Sequence, residues 1–391
     1  MEAHIHEWLN LLIRWIHFIV GIAWIGASFY FNWLENNLDR KPPQDEGIAG
    51  NLWAVHGGGF YHLKKFRTGP ERLPKVLHWF KWEAYTTWLS GMSLLVVVYY
   101  VNGRLYLVDS SVSDISVPLA IGIGLGSLLG SWIVYDLICK SPLRKHSGLM
   151  SFTVFMYFVV LAWGLCELLS GRAAYIHVGA AIGTIMVANV FFVIIPAQRE
   201  MVTALEENRA PDPAYGESGL LRSRHNNYFT LPVLFIMISS HFPSTYGHSM
   251  NWLVLALLAL ISIVVRHYFN IRHLKPTLIW ILPVAFVAMV GVMLWTAPAT
   301  IQSTQSVSDE QVKSIVAARC VSCHAEKPTQ AGFILPPLAI VLESLEQIKA
   351  HKDRVYQTTV VTKMMPLGNL TGITDEERAV INAWYQESNQ P

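Results

Sequence analysis

The sequence predicts an all-α protein: a polytopic transmembrane helix bundle followed by a small soluble helical domain. Three observations predict it. Of 391 residues, 52% are hydrophobic and only 14% charged, where a soluble domain averages roughly a quarter charged. Apolar runs of about 20 residues, long enough to cross a hydrocarbon core of ~30 Å, recur from the start of the chain to Pro298. Beyond Pro298 a polar stretch, Thr300 to Ser306, leads into a short segment with helix-start signals of its own. The expected organisation is a membrane domain over 1–298, a linker over 299–307 and a soluble domain over 308–391. The lipid bilayer is then a partner by composition. A net charge of +2 gives no sign of nucleic-acid binding.

About eight spans are expected. They run near Trp8 to Trp33, Glu83 to Val101, Val117 to Cys139, Leu149 to Leu169, Tyr175 to Ile195, Tyr228 to His241, Asn251 to Tyr268, and Leu278 to Ala297. The sixth is the shortest and ends at Phe242-Pro243. No basic stretch precedes the first run, and it has no small-residue cleavage site. It reads as a retained span, not a signal peptide. The connection from Glu35 to Trp82 is long, with Pro42-Pro43 and His56-Gly57-Gly58-Gly59 inside it. It reads either as a functional element or as an amphipathic segment lying on the membrane surface.

Loop charges give the topology. Arg40, Lys41, Lys64, Lys65, Arg67, Arg72 and Lys75 crowd the first connection, and the next has only Arg104. Lys140, Arg144 and Lys145 follow, then Arg172 alone, then Arg199, Arg209, Arg222 and Arg224. The connection around Tyr246 has no Lys or Arg, and the last has Arg272 and Lys275. Rich and poor loops alternate throughout. Rich loops are cytoplasmic by the positive-inside rule, so both termini are expected outside, in the bacterial periplasm.

The soluble segment holds Cys320-Val321-Ser322-Cys323-His324. C-x-x-C-H is the attachment signal of a c-type haem. Two thiols can add to the porphyrin vinyls, and His324 is placed to ligate the iron. The opposite axial position is usually a Met thioether, which raises the potential. Met364 and Met365 precede Pro366, and Met365 is favoured because it forms the Met-Pro pair. Zinc would need a second ligand pair at suitable spacing. The remaining cysteines, Cys139 and Cys166, lie in distant apolar segments and read as small buried hydrophobes. Ser308 with Gln311 reads as a capping box for a helix running into Cys320. A second helix fits Leu342 to Gln357, and Thr374 with Glu377 caps a last helix through Tyr385. The pattern is that of a small helical cytochrome c domain carrying one covalent haem c. Haem c is attached outside the inner membrane, which agrees with the loop charges.

Ionisable groups inside spans are costly, about 2.5 to 3.5 kcal/mol for a charge at the centre. In the first span Arg14, His17, Gly21, Trp24 and Ser28 share one helical face. One reading is a membrane haem b on His17, with Gly21 admitting the macrocycle, Arg14 at a propionate, and His177 or His241 as second ligand. The plainer reading is a neutral histidine in a polar bundle core, with Arg14 reaching outward. On the cytoplasmic side Asn189, Gln198 and Arg199 end the fifth span. Arg222, Arg224, His225, Asn226 and Asn227 enter the sixth. Arg, Asn, Gln and His together suit a planar, anionic, multiply hydrogen-bonding solute. The plainer reading of the arginines is positive-inside flanking.

The run Arg14-Trp15-Ile16-His17-Phe18-Ile19-Val20-Gly21-Ile22-Ala23-Trp24-Ile25-Gly26, the stretch from Arg224 to Pro243 and the C-x-x-C-H domain together resemble the bacterial membrane-bound urate oxidases, or urate hydroxylases, with a fused cytochrome c. The resemblance covers essentially the whole chain. It implies oxidation of urate to 5-hydroxyisourate, with electrons passed to the haem and on to an acceptor of the respiratory chain. Urate recognition is then expected among Asn189 to Arg199 and Arg222 to Asn227, although no family motif assigns their roles. Urate bound on the cytoplasmic side would need a relay across the ~30 Å core, whereas urate bound in the outer half would not. The competing reading is a non-enzymatic, haem-bearing electron-transfer subunit of another dehydrogenase. A terminal oxidase would require an adjacent His-His pair for copper, and the sequence has none.

Overall fold

The computed structural model describes residues 2–42, 44–297 and 307–388, so the expected linker lies almost entirely outside the described residues. The membrane domain begins with α1 (Glu2–Asn37), a β-hairpin of β1 (Ile48–His56) and β2 (Gly59–Phe66), and α2 (Trp82–Leu94), which continues through a π-helical turn (Leu95–Tyr100). Then come α3 (Gly103–Tyr106), α4 (Val117–Lys140), α5 (Ser147–Cys166), α6 (Gly171–Asn189) and, after a second π-helical turn (Val190–Ile194), α7 (Ile195–Glu206). The domain ends with α8 (Pro213–Ser239), α9 (Pro243–Tyr246), α10 (Asn251–Ile271) and α11 (Ile281–Trp295). The soluble segment holds α12 (Asp309–Arg319), α13 (Val321–His324), α14 (Leu345–Ala350), α15 (Lys352–Tyr356) and α16 (Asp375–Glu387). The all-α class holds apart from the hairpin.

Six helical stretches among the described residues are long and apolar enough to cross a membrane: His4–Asn37, Val117–Lys140, Ser147–Cys166, Gly171–Glu206, Asn251–Ile271 and Pro276–Trp295. The other two expected spans are present as helix but differ in form. The second is interrupted by its π-helical turn. The sixth is the apolar half of α8, whose polar half starts at an Asp212 cap with Pro213 in the first turn. A hydropathy window reads only the apolar half. His241, expected within that span, lies past the helix end and is exposed.

The hairpin corrects the expectation for the first connection. Trp53 pairs with His62 and Val55 with Phe60 across an antiparallel ladder. Gly57 (φ 58°) and Gly58 (φ 83°) make the turn. Two successive positive φ values match the twist of a two-residue hairpin, and glycine adopts them without strain. The signal was the Gly-Gly pair between residues of high strand propensity.

α6 is the pillar of the bundle. In its most apolar window 67% of residues are buried, against 6% for α1 and for the helix ending at Trp295. Ala173, Ala174, Gly179, Ala181 and Ala188 keep it narrow, so α4, α5 and α8 pack closely around it. Gly179 faces Ile236, where an added Cβ would come within 2.4 Å of the Ile236 Cγ2. Outward faces remain apolar: Trp15, Phe18 and Ile22 on α1, Leu129 and Leu137 on α4, and Phe286 and Val287 on α11 are exposed. Those faces suit lipid.

In α6–α7, Pro196 cannot donate to a carbonyl in the preceding turn, and its ring crowds that carbonyl. The π-helical turn just before it widens the ladder and absorbs the mismatch. Both expected caps of the soluble segment form in full, Ser308 with Gln311 and Thr374 with Glu377. Ser344 with Gln347 adds a third. The expected helix from Leu342 to Gln357 starts later, at Leu345, and is split at His351.

The soluble segment docks on one end of the bundle, against α3 and α9. Gly368 (φ 56°) sits where a Cβ would lie 2.8 Å from the Val108 carbonyl oxygen and 3.0 Å from that of Arg104. Only glycine suits that conformation at that approach. At the base of this contact Gly171 abuts the Tyr246 carbonyl, which a Cβ would meet at 2.2 Å. Because the neighbour is backbone, it cannot rotate away. Gly171→Ala is therefore expected to destabilise by roughly 1–3 kcal/mol, seen as a lower thermal midpoint of the detergent-solubilised chain. An unchanged midpoint would show that α6 and α9 are not held this closely.

Candidate functional site

Two candidate sites stand at opposite ends of α6, one mainly apolar and one polar. The first is a crevice in the soluble segment. Its volume of about 120 Å³ is lined by Cys320, Cys323, His324, Met364 and Met365 and by apolar side chains including Ile340, Leu342 and Val355. Leu105, from α3 of the membrane domain, closes one wall. α12 delivers Cys320 at its C-cap, and His324 N donates back to the Cys320 carbonyl at 2.9 Å. The His324 Nδ1 lies 3.0 Å from the Ile340 carbonyl oxygen. A carbonyl only accepts, so Nδ1 carries the proton and Nε2 keeps its lone pair. Such an anchored ring is the usual support of a metal-ligating histidine.

Burial pushes the Cys320 thiol up to about 12 and also raises that of Cys323. Both are protonated at neutral pH, hence poor partners for thiol exchange. Arg319 braces the crevice from outside: its Nε lies 3.1 Å from each Glu377 carboxylate oxygen, and Nη1 donates to the Thr371 carbonyl at 2.6 Å. The Met365 backbone is fixed at both ends, its N donating to the Thr358 carbonyl at 2.9 Å and its carbonyl accepting from Arg378 at 3.0 Å. The Met364 sulfur accepts a hydrogen bond from the Tyr246 hydroxyl at 3.3 Å.

The second site lies at the Lys/Arg-rich end. Asn189, Arg222, His225 and Asn226 come together as expected, joined by Tyr135 and Asp136 of α4. Arg222 donates to Asp136 at 2.5 Å and to Asn189 at 3.3 Å, and its guanidinium lies 4.9 Å from the Tyr135 ring centre. The Asn189 amide donates to Asn226 at 2.8 Å and to the Tyr135 hydroxyl at 3.2 Å. That hydroxyl is in turn hydrogen-bonded with the His225 Nδ1 at 2.8 Å. Asn189 and Arg222 are almost wholly buried. Beside this network opens a cavity of about 670 Å³, the size of an organic-ligand pocket. Lys140, Arg144, Arg222 and Arg224 line it against Asp136 and Glu217, so its field favours an anion.

Asn227 parts from this group. It faces α10, where its side-chain oxygen accepts from Arg266 at 3.0 Å and Asn270 at 2.7 Å. Its buried Nδ2 has no partner among the described residues. Gln198 and Arg199 are exposed on α7, outside the network. Sequence reasoning missed Trp132, Tyr135 and Asp136, though their spacing marks one polar face of an otherwise apolar helix.

His17 and His177 each have hydrogen-bonding partners inside the bundle. His17 packs on α2, its Nδ1 3.0 Å from the Thr87 carbonyl oxygen and 3.0 Å from the Ser90 hydroxyl. His177 is wholly buried against α4. Its Nδ1 lies 2.8 Å from the Ala173 carbonyl oxygen, and its Nε2 accepts from the Tyr100 hydroxyl at 3.1 Å. Both nitrogens of His177 are thus committed. Arg14 bonds its own helix at Asn10, 3.1 Å away. An added Cβ at Gly21 would meet nothing within 4 Å.

Among the described residues no group of three or more His, Cys, Asp or Glu converges on a bare metal ion. Residues 3–297 match the model of the family described as Urate oxidase N-terminal, and the chain belongs to that family. The match ends with α11 and leaves the crevice-bearing segment outside it. No curated protein and no solved structure gives a significant match.

Two outcomes are expected. Asp136→Ala strands a buried guanidinium and should destabilise by about 3–5 kcal/mol, whereas Lys140→Ala, which removes only the exposed ammonium 2.6 Å from the other Asp136 oxygen, should cost under about 1 kcal/mol. Thermal unfolding in detergent separates them, and equal effects would contradict the buried pairing. The second concerns acid. Burial works against ionisation of Glu377, but the Arg319 hydrogen bond, the Thr374 backbone hydrogen bond and the charges of Arg319 and Arg378 together outweigh it, and the carboxyl is held below its ordinary range. Its stabilisation is present above the unfolded value near 4 and is lost as pH falls through the lower folded value. The midpoint difference between wild type and Glu377→Gln should be full at neutral pH and vanish in acid.

Proposed function

We propose that this chain is a membrane-bound urate oxidase that passes its electrons to a c-type haem held by its own C-terminal domain. The reading is carried by one observation: a bundle matching the urate oxidase family is packed against a crevice lined by C-x-x-C-H and two methionines. The reaction is urate plus water to 5-hydroxyisourate, two protons and two electrons. The donor set suits the haem. Cys320 and Cys323 would hold it through thioether bonds, His324, its ring fixed by the Ile340 carbonyl, would offer Nε2 to the iron, and Met365 would offer a second ligand. Bound there, the group supplies a one-electron carrier in an apolar setting.

The bilayer placement follows the loop charges. The soluble segment docks on the Lys/Arg-poor loops, those of α3 and α9, in keeping with a haem domain and both termini in the periplasm of a bacterial inner membrane. Urate is assigned to the Lys/Arg-rich end, where the cavity beside Arg222 and Arg224 draws an anion and Asn189, His225 and Asn226 back it. Gln198, Arg199 and Asn227 are not among the residues that line it. Gly171 and Asn189 mark the two ends of α6, roughly 27 Å apart at about 1.5 Å per residue. That span calls for a relay. His17 fits one ligand of a haem b, since its Nδ1 is anchored and Gly21 leaves room beside it. His177 would have to release Tyr100 to be the second.

Purified chain given urate and a soluble one-electron acceptor is expected to reduce two acceptors per urate and to form no peroxide. Cys320→Ser with Cys323→Ser should abolish acceptor reduction. Urate turnover with peroxide formation, unaffected by that double variant, would reject the coupling to haem. An Arg224→Ala variant is expected to raise the KM for urate several-fold at low ionic strength.

A further inference from the structure

Two adjacent thioethers, Met364 and Met365, line the same crevice. Either sulfur is chemically competent to ligate iron. What separates them is a contact from outside the soluble domain. The Tyr246 hydroxyl, on α9 of the membrane bundle, donates to the Met364 sulfur at 3.3 Å.

We propose that Tyr246 is a positioning residue for the haem: it holds the Met364 thioether off the iron and leaves Met365 as the axial sulfur, so the membrane bundle sets the coordination of the attached group. This rests on the haem reading above. The crevice fits such a group by its donors alone, through Cys320, Cys323 and the lone-pair Nε2 of His324.

Tyr246 can do this because it is itself immobile. It is buried, and its carbonyl accepts from the Asn251 side chain at 2.9 Å. Gly171 lies close under that carbonyl. Its ring meets the Tyr175 ring edge-on, with centres 6.3 Å apart. Tyr175 in turn donates to the Asn251 carbonyl at 2.6 Å and to that of Thr245 at 3.1 Å. The next residue, Gly247, closes on the Thr362 carbonyl, which a Cβ would meet at 2.3 Å. On the other flank Gly368 fits under α3, and Leu105 reaches the crevice wall. The loop carrying both methionines is therefore gripped from two sides by the membrane domain. Within that grip, the Met364 sulfur has a donor and the Met365 sulfur has a fixed backbone.

Undocking would release Met364. The choice between the two sulfurs, both thioethers, then depends on the bundle. A soluble copy of the same domain would lack this control.

The test uses the full chain in detergent and reads the weak red charge-transfer band of a methionine-ligated ferric haem, together with the midpoint potential. Wild type and Tyr246→Phe should both show the band, since Phe keeps the packing on Tyr175. Met365→Leu alone should lose the band and drop the potential, because Met364 is held by Tyr246. Met365→Leu combined with Tyr246→Phe should regain the band as the freed Met364 takes the position. Retention of the band in Met365→Leu alone overturns the proposal, and so does failure of the double variant to regain it. A wild-type chain with no covalent haem in a pyridine haemochrome assay overturns the proposal together with the reading it rests on, and is told apart because no variant then shows any haem spectrum.

Discussion

The burial of α6 is the constraint on which the rest depends. In a bilayer a helix gains little from leaving lipid for protein, so association comes from close packing and from polar contacts. The small residues of α6 provide the first. Its ends provide the second: Ser170 bonded to the Tyr106 carbonyl and Gly171 under the Tyr246 loop at one end, Asn189 in the Tyr135–Arg222–Asn226 network at the other. One helix thus fixes both sites, and the separation between them is simply its length. A change that pushes α4 or α8 away from α6 disturbs both.

The two sites handle burial differently. At the Lys/Arg-rich end, Arg222 is taken out of water but neutralised by Asp136, and each amide and hydroxyl around it has a partner. A satisfied network of this kind gives rigidity to the wall of the neighbouring cavity. Attraction for an anion then comes from the exposed cations at the rim, Lys140, Arg144 and Arg224. In the crevice the lining is apolar and the polar atoms are few. Each is fixed from behind, as His324 is by the Ile340 carbonyl and Met365 by Arg378. That is the arrangement expected where orientation matters more than charge.

Much of this was legible in the sequence. Composition and apolar run length fixed the class, and the paired caps at Ser308 and Thr374 located the soluble helices. The cluster from Asn189 to Asn226 was readable because polar groups at a span entry are costly without partners. Three things were not legible. Asn226 and Asn227 are neighbours in sequence, yet helical geometry turns each residue about 100° from the last, and they serve different helices. The hairpin was hidden in a connection read for charge instead of alternation, although Gly57-Gly58 marked its turn. The Tyr246–Met364 contact joins residues 118 apart in sequence and had no local signal at all.

The claim that holds these parts together is that substrate electrons enter the haem of the same chain. An anaerobic titration of the purified, oxidised protein with urate, followed in the c-type α-band, tests it most directly. The account predicts full reduction at half an equivalent of urate per haem c, with no partner protein added, and more if a membrane haem is also filled. A haem that reduces with dithionite but stays oxidised in excess urate would contradict it, and would leave the chain as an electron-transfer subunit of another dehydrogenase.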